Sequence, residues 1–255
     1  MTMQQDIELS IILPVHNEEH AISPLLRGLS TVIRDSINKK SEIIIVDDAS
    51  TDGSVKVIEE VGSRDFSREN EKNTASPFLR LIRFPSSCGQ ARALRAGFTI
   101  SRGALILTMD GDGQYDPADI PRLLELTDSF DMVCGIRNQR TDGPSRMFCS
   151  RTANAFRNLI TGDCIQDAGC TFRIMRRECL GCLSVFAEKP IAYDFFFHPL
   201  FVRSGGYRVG EIFVTHRNRI GGRSKYHLIR GRLLSGILVC MQVKKLLTTT
   251  KTSVA

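Results

Sequence analysis

The sequence predicts an α/β protein in which helices flank a mostly parallel, doubly wound sheet. In the first 110 residues four short apolar runs alternate with three segments of helical periodicity, the arrangement that parallel strands require because each needs a crossover. Acidic residues follow three of these runs, at strand ends that a parallel sheet brings to one edge. The chain of 255 residues, 42% of them hydrophobic, is long enough for one large domain or for one domain with an appendage.

The first half supplies four of the predicted strands, each rich in isoleucine, leucine or valine: Glu8–Val15, Ser41–Asp48, Phe78–Phe84 and Ala104–Asp110. The first helix begins with Ser23 as the predicted N-cap and Pro24 at the first helical position, a common start signal. The next two helices are predicted over Asp52–Val61 and Gly89–Ser101, and the polar segment 62–77 is predicted to be a loop.

The second half is less regular and adds three predicted strands, Asp131–Arg137, Gly169–Met175 and Tyr207–Val214. Helices are predicted over Cys149–Ile160, Tyr193–Val202 and His227–Leu247. The last of these carries leucines flanked by arginines and lysines, a pattern typical of a helix that lies on a membrane surface or packs on the body. We therefore expect one domain over residues 1–226 and a basic amphipathic segment over residues 227–255.

Positive charge is concentrated near the end of the chain. Residues 203–255 hold eleven of the 34 Lys and Arg but only one of the 28 Asp and Glu. This imbalance indicates an anionic partner, either phosphate, nucleic acid or a lipid surface. The absence of tryptophan and of any known nucleic-acid motif argues against nucleic acid. The longest apolar candidate, Leu233–Val243, has eleven residues, whereas a membrane-spanning helix needs about 20.

Eight scattered cysteines and the lack of a leader sequence predict reduced thiols in a cytoplasmic protein. Cys179 and Cys182 form a lone CxxC pair, for which helix packing is a better explanation than zinc or redox chemistry.

Two carboxylates, Asp110 and Asp112, flank a glycine directly after the fourth predicted strand. Like charges this close repel each other unless a cation lies between them. Carboxylate and amide oxygens, here with Gln114 nearby, are ligands that Mg²⁺ and Mn²⁺ accept together with substrate phosphates. For this motif alone, a solvated acidic turn is the better explanation. Neither a glycine-rich dinucleotide motif nor a P-loop lysine is present to hold a nucleotide in another way.

Six motifs resemble a known family. The first half resembles the inverting glycosyltransferases of family 2, which have the GT-A fold, in the motifs ILPVHNEE, IIIVDDASTDGS and DGDGQ. The second half resembles the dolichyl- and undecaprenyl-phosphate sugar transferases within that family in the motifs GIRNQRTDGPSR, DAGCTFRIMRRE and HRNRIGGRSKY. The resemblance implies transfer of a hexose from GDP-mannose or a UDP-hexose to a polyprenyl phosphate. It also implies a requirement for Mg²⁺ or Mn²⁺ and a peripheral location on the inner membrane face.

The resemblance also implies roles for the residues at matching positions. The nucleotide sugar would contact Pro14, His16, Glu18, Asp48, Asp110, Gly111, Asp112, Arg137, Arg219 and Lys225. The metal would be held by Asp110, Asp112 and Gln114, and the acceptor phosphate by Arg137, Arg146 and Arg151. From the sequence itself, Asp167 before Ala-Gly-Cys is the best candidate for a base or a sugar-hydroxyl contact and would join Asp110 and Asp112 as a catalytic residue, although a turn carboxylate explains it equally well.

Several positions depart from the family pattern, and they leave the donor open. His16 stands where an aromatic residue, often tyrosine, is usual, and Gly111 replaces the usual alanine. One alternative is a family 2 enzyme whose acceptor is a saccharide hydroxyl in cell-surface glycan synthesis. A nucleic-acid-binding protein is the alternative from a different class.

Overall fold

The structure of the chain is a computed structural model. It describes residues 7–37, 39–66, 78–138, 154–155, 157–162, 164–188, 194–219 and 239–247. No helix within these ranges is both long enough and apolar enough to span a bilayer.

Within the described residues, seven strands form a single sheet in the order β3-β2-β1-β4-β6-β5-β7. Their bounds are β1 Leu9–Val15, β2 Ser41–Asp47, β3 Phe78–Arg83, β4 Leu105–Thr108, β5 Met132–Asn138, β6 Arg173–Arg176 and β7 Val209–Thr215. Among these seven strands, β6 alone runs antiparallel to its neighbours, which are β4 and β5. The predicted fold class, a mostly parallel sheet flanked by helices, is therefore confirmed, and each of the seven predicted strands has a counterpart.

The helices are α1 Ile22–Ser36, α2 Ser54–Asp65, α3 Gln90–Ile100, α4 Ile120–Glu125, α5 Leu180–Leu183, α6 Val185–Glu188 and α7 His198–Ser204. Short 3₁₀ turns accompany them at Pro117–Asp119, Leu126–Asp128, Arg177–Cys179 and Asp194–Phe197. The described parts of two further predicted helices, 154–155 with 157–161 and 239–247, are helical as well.

The predicted N-cap of the first helix is wrong. Helix α1 begins at Ile22, and its N-cap is Ala21 rather than Ser23. The amides of Ala21 and Ile22 both donate to the carbonyl oxygen of Glu18, so a turn that starts at the strand end leads directly into the helix. Pro24 consequently lies inside the first turn, where its missing N–H has no partner to lose.

Two other helical segments differ from the sequence prediction. The segment from Pro117 to Asp128 forms 3₁₀ and α turns that were not predicted, because short turns containing two prolines carry little apolar periodicity. The helix predicted over Tyr193–Val202 is instead a 3₁₀ turn followed by α7, which has Pro199 in its first turn. A proline is compatible with the start of a helix but not with its interior.

The central strands β1, β2 and β4 are buried on both faces, as expected for parallel strands with helices on each side. Alternate residues of β1 enter opposite layers, with Ile11 and Leu13 facing the layer that includes α1 and Ile12 facing the layer that includes α3. The second layer also contains Cys240 and Val243 from the helical segment 239–247, which thus packs on the body. The described cysteines are all free thiols, and Cys179 packs in this same layer.

Replacing Gly97 of α3 is expected to destabilise the fold. A Cβ atom at this position would lie 2.4 Å from Cγ2 of Ile12, a fully buried side chain that would have to shift. Overpacking of a core typically costs about 1–3 kcal/mol, so Gly97→Ala should lower the urea midpoint with an unchanged m-value. The matched control is Gly181→Ala in α5, where nothing lies within 4 Å of the added Cβ. Equal stabilities of the two variants would contradict this account.

Candidate active site

The carboxyl ends of β1, β2 and β4 lie side by side, because β1 pairs in parallel with both of the other strands. The loops after β1 and β2 are joined by hydrogen bonds. The Asn17 amide donates to Ser50 Oγ (2.9 Å), the Thr51 amide donates to Asn17 Oδ1 (2.7 Å), and the Glu18 amide donates to Ser54 Oγ (2.7 Å). These contacts fix the positions at which the polar side chains leave the sheet.

Three carboxylates meet at this edge, and we call Glu18, Asp110 and Asp112 the acidic cluster. Arg219, which follows β7, places Nη2 2.7 Å from Asp112 Oδ2 and 3.5 Å from Glu18 Oε1. The side chains of Asp112 and Glu18 are only 7% and 10% exposed. Oε2 of Glu18 is buried and has no hydrogen-bond partner among the described residues. The cluster is therefore a buried concentration of negative charge that one arginine partly neutralises.

The titration of the cluster reflects this arrangement. Burial raises the pKa of Glu18 from 4.5 to about 7, and the charges of Asp112 and Asp110 act in the same direction against the lowering effect of Arg219. Burial likewise raises the pKa of Asp110 to about 6, again with a contribution from Asp112. An added cation would relieve this repulsion.

The chemistry of the donor set fits a hard divalent cation. Gln114 donates its side-chain N–H to the Arg217 carbonyl (3.1 Å), which leaves its amide oxygen as a possible ligand, and its backbone N–H donates to Asp112 Oδ1 (3.1 Å). The described residues contain no group of three or more His, Cys, Asp and Glu side chains arranged to hold a metal ion. Magnesium sites commonly use one or two carboxylates and complete their coordination with substrate phosphates and water.

Arg137 and Asp167 form a bidentate ion pair beside the acidic cluster. Arg137 Nε donates to Asp167 Oδ2 and Nη2 donates to Oδ1, each at 2.7 Å. Burial would lower the pKa of Arg137, but hydrogen bonding to Asp167 raises it above its ordinary value. Arg137 in turn lowers the pKa of Asp110. The pair therefore belongs electrostatically to the same site as the cluster.

The proposed nucleoside side of the site contains His16 and Asp48. His16 Nδ1 lies 2.6 Å from the Asp48 carbonyl oxygen. The Asp48 carboxylate accepts hydrogen bonds from Ser87 Oγ (2.8 Å) and from the amides of Cys88 (2.5 Å) and Gly89 (3.0 Å). Both of its oxygens thus hold the loop before α3, and a base N–H would have to share or replace one of these donors.

Pro14 and Gly111 meet at the centre of this edge. A Cβ atom at position 111 would lie 2.7 Å from Cγ2 of Val15 and 3.1 Å from the carbonyl oxygen of Pro14. The glycine that departs from the usual alanine is therefore matched to a close approach of the β1 backbone.

The structure also includes a site residue that the sequence interpretation did not select. Gln90, the first residue of α3, donates from Nε2 to Asp110 Oδ1 at 2.6 Å. Its position directly after Gly89, at the start of a helix that follows a strand, was the available signal. Three residues expected at the site, Arg146, Arg151 and Lys225, lie outside the described residues.

Comparison with solved structures identifies the fold. The chain is similar to glucosyl-3-phosphoglycerate synthase from Mycobacterium tuberculosis, solved with Mn²⁺, UDP and phosphoglyceric acid, with a TM-score of 0.59 and 18% identity over 84% of this chain and 72% of that one. It is also similar to a mannosyltransferase from Pyrobaculum calidifontis in complex with GDP-Man and Mn²⁺, with a TM-score of 0.56 and 18% identity over 87% of this chain and 59% of that one. These similarities support a GT-A fold.

Comparison with curated proteins and family models identifies the family. The chain is 31% identical over 235 residues to undecaprenyl-phosphate 4-deoxy-4-formamido-L-arabinose transferase of Pseudomonas savastanoi pv. phaseolicola, a match that spans 91% of this chain but 65% of that protein. The identity to the protein of the same name from Edwardsiella ictaluri is 32%, over 91% of this chain and 67% of that protein. The model of Glycosyl transferase family 2 matches residues 10–183. The chain therefore belongs to glycosyl transferase family 2.

Proposed function

We propose that the chain transfers a sugar from a nucleoside diphosphate to a polyprenyl phosphate. The observation that carries this proposal is the buried acidic cluster, with its raised pKa values and its partial neutralisation by Arg219, at the carboxyl edge of a family 2 fold. Such a site is suited to a substrate that brings both a cation and a diphosphate. The relatives named for undecaprenyl-phosphate sugar transfer support the choice of acceptor.

In this proposal the metal ligands are Asp110, Asp112 and Gln114. A bound Mg²⁺ or Mn²⁺ ion would neutralise negative charge on the departing nucleoside diphosphate. Arg219 would move from the carboxylates to the diphosphate, because its guanidinium group already lies at the edge of the cluster. His16 and Asp48 would border the nucleoside, and Gly111 would let the donor approach the β1 backbone.

The acceptor is inferred from the chemistry of the nucleophile. A phosphate monoester has its second pKa near about 6, so it reaches the enzyme largely as a dianion and needs cations more than a base. A hydroxyl group is a weak nucleophile and needs a positioned base. The carboxylate expected for that task, Asp167, has both oxygens bound to Arg137. Arg137, together with Arg146 and Arg151, would receive the acceptor phosphate.

A lipid acceptor also requires the enzyme to work at a membrane surface, and we place it on the cytoplasmic face. The excess of Lys and Arg after residue 203 supports contact with anionic lipids. Met241 and Leu159 are 58% and 79% exposed and would be available for such contact. In the proposed organisation the catalytic domain covers residues 1–226, and residues 227–255 assist membrane contact.

A donor and acceptor screen tests the function. The purified chain would be incubated with undecaprenyl or dolichyl phosphate, Mn²⁺ and each of GDP-mannose, UDP-glucose and UDP-4-deoxy-4-formamido-L-arabinose, with release of nucleoside diphosphate as the signal. We expect lipid-dependent release with at least one donor, and Arg151→Ala should raise the KM for the lipid more than that for the donor. Release that depends on an added oligosaccharide and ignores the lipid would overturn the proposal.

Release that depends on an added oligosaccharide would favour the alternative in which the acceptor is a saccharide hydroxyl. One observation, on Glu18, supports this alternative. Burial raises the pKa of Glu18 to about 7, and one of its oxygens is buried without a hydrogen-bond partner among the described residues. These properties suit a general base. The same screen therefore decides between the two acceptor classes.

A further inference from the structure

Asp167 and Arg137 are joined more firmly than an ordinary surface ion pair. Besides the two side-chain hydrogen bonds, the backbone N–H of Arg137 donates to Asp167 Oδ2 at 3.2 Å. The two side chains are 14% and 8% exposed, Arg137 being the more accessible. Parallel charge-assisted hydrogen bonds of this kind fix the plane of a guanidinium group as well as its position. Asp167 therefore determines where the Arg137 guanidinium points.

The surrounding backbone is shaped to keep this pair in place. Arg137 lies on β5, and Asp167 begins a turn in which the Cys170 amide donates to the Asp167 carbonyl oxygen (3.0 Å). The Gly135 amide of β5 donates to the carbonyl oxygen of Phe172 (2.9 Å), so the turn is anchored to the strand that carries the arginine. A Cβ atom at Gly169 would lie 2.8 Å from Arg137 Nη2. The glycine thus leaves room for the guanidinium group.

The ion pair with Asp167 occupies one edge of the Arg137 guanidinium group and leaves another edge available to a ligand. Asp167 engages Nε and Nη2, whereas no hydrogen bond joins Nη1 to any of the described residues. The charge of Arg137 also acts on Asp110 of the acidic cluster, which places the guanidinium within electrostatic reach of the site. A phosphate group that enters the site would meet an arginine whose orientation is already fixed.

We propose that Asp167 is a positioning residue, which holds Arg137 so that its free guanidinium edge binds a phosphate of the donor or of the acceptor. This inference rests on the proposed function and gives Asp167 a role other than that of a base. A base has to take up a proton from the nucleophile, whereas both Asp167 oxygens bind a guanidinium group that stays charged. This ion pair stabilises the ionised carboxylate and makes Asp167 a poor proton acceptor. A pre-oriented arginine loses less conformational entropy when it binds phosphate.

A double-mutant cycle tests the proposal. Asp167→Asn should lower kcat/KM by about 10- to 100-fold, the effect of losing one hydrogen bond to a charged group, and Arg137→Lys should do the same. Both substitutions disrupt the same Arg137–Asp167 interaction. The kcat/KM of the double variant should therefore be no more than about 3-fold below that of the less active single variant. Asp167→Glu should recover part of the activity, and the pH–rate profile of Asp167→Asn should keep the shape of the wild-type profile.

The matched control is a second bidentate pair far from the site. Arg64 donates to Asp65 through Nε (2.8 Å) and Nη2 (3.1 Å), but this pair lies on the surface at the end of α2. Asp65→Asn should leave kcat/KM unchanged. Thermal unfolding of all variants distinguishes a positioning role from a purely structural one. If the substitutions only destabilised the fold, the melting temperature would fall and the two effects on kcat/KM would be additive.

Two arms identify the phosphate that Arg137 binds. Calorimetric titration of the Mn²⁺-loaded variants with UDP or GDP reports the donor and needs no sugar transfer, whereas the KM for polyprenyl phosphate reports the acceptor. A wild-type protein that binds nucleotide but ignores the lipid would refute the proposed function and leave the donor arm as a valid test of Asp167. An active wild type whose Asp167→Asn variant loses the pH dependence of kcat, with additive effects in the cycle, would overturn the positioning role.

Discussion

Asp112→Asn is expected to reduce metal-dependent sugar transfer by at least about 100-fold while leaving the fold intact. The change removes one of the negative charges that make the acidic cluster attractive to a divalent cation, and it replaces an oxygen that contacts Arg219 with an amide nitrogen. The other oxygen can still accept the hydrogen bond from the Gln114 amide, so the loop after β4 should keep its conformation. Turnover would be measured over a range of Mn²⁺ concentrations, with Mn²⁺ binding followed by electron paramagnetic resonance.

The matched control removes the same charge from an exposed position that precedes β5. Asp128 is exposed in the 3₁₀ turn that ends with it, and Asp128→Asn should bind Mn²⁺ and turn over substrate like the wild type. Full wild-type activity in EDTA would refute the metal role altogether. An Asp112→Asn variant that keeps both Mn²⁺ binding and turnover would instead place the ion elsewhere.

The sequence was sufficient to predict the sheet because parallel strands buried on both faces leave a strong local signal. Runs such as Ile43–Ile45 are continuous and apolar, and each is followed by a helix with its own periodicity. Strand ends were less certain, since β4 ends at Thr108 although the apolar pattern continues to Met109. Met109 is still buried and its amide donates to the carbonyl oxygen of Ile12, but Met109 lies one residue beyond Thr108, the last residue of β4 that pairs with β1.

The partners of the site residues could not be predicted, because their contacts join distant parts of the chain. Arg219 reaches Asp112 across 107 positions, and Arg137 reaches Asp167 across 30. Residue type and spacing indicate that a carboxylate lies at a strand end, but they do not say which cation faces it. Asp167 illustrates the consequence, since a carboxylate that looked available as a base in the sequence is bound through both oxygens in the fold.

Glu18→Gln is expected to stabilise the metal-free protein at high pH, because the buried carboxylate is costly to ionise. Its folded-state pKa, about 7, lies above the ordinary value of 4.5. The folded state therefore favours the protonated form, and wild-type stability falls as the pH rises from about 4.5 through about 7. The upper limit of this loss is on the order of 3 kcal/mol, from about 1.4 kcal/mol for each pKa unit. Glutamine does not ionise and avoids the loss.

Thermal unfolding in EDTA checks this prediction. Wild type and Glu18→Gln should melt at similar temperatures near about pH 4.5, and the variant should melt several degrees higher near about pH 8, since 1 kcal/mol corresponds to about 2–4 °C in a chain of this size. The control Glu59→Gln, at an exposed position of α2, should show no such divergence. Mn²⁺ should narrow the gap, because a cation bound to Asp110 and Asp112 would offset the charges that help to raise the Glu18 pKa. A constant difference in melting temperature between the variant and the wild type across this pH range would mean that Glu18 keeps an ordinary pKa. In that case the carboxylates of the acidic cluster would not repel one another enough for a cation to stabilise the fold.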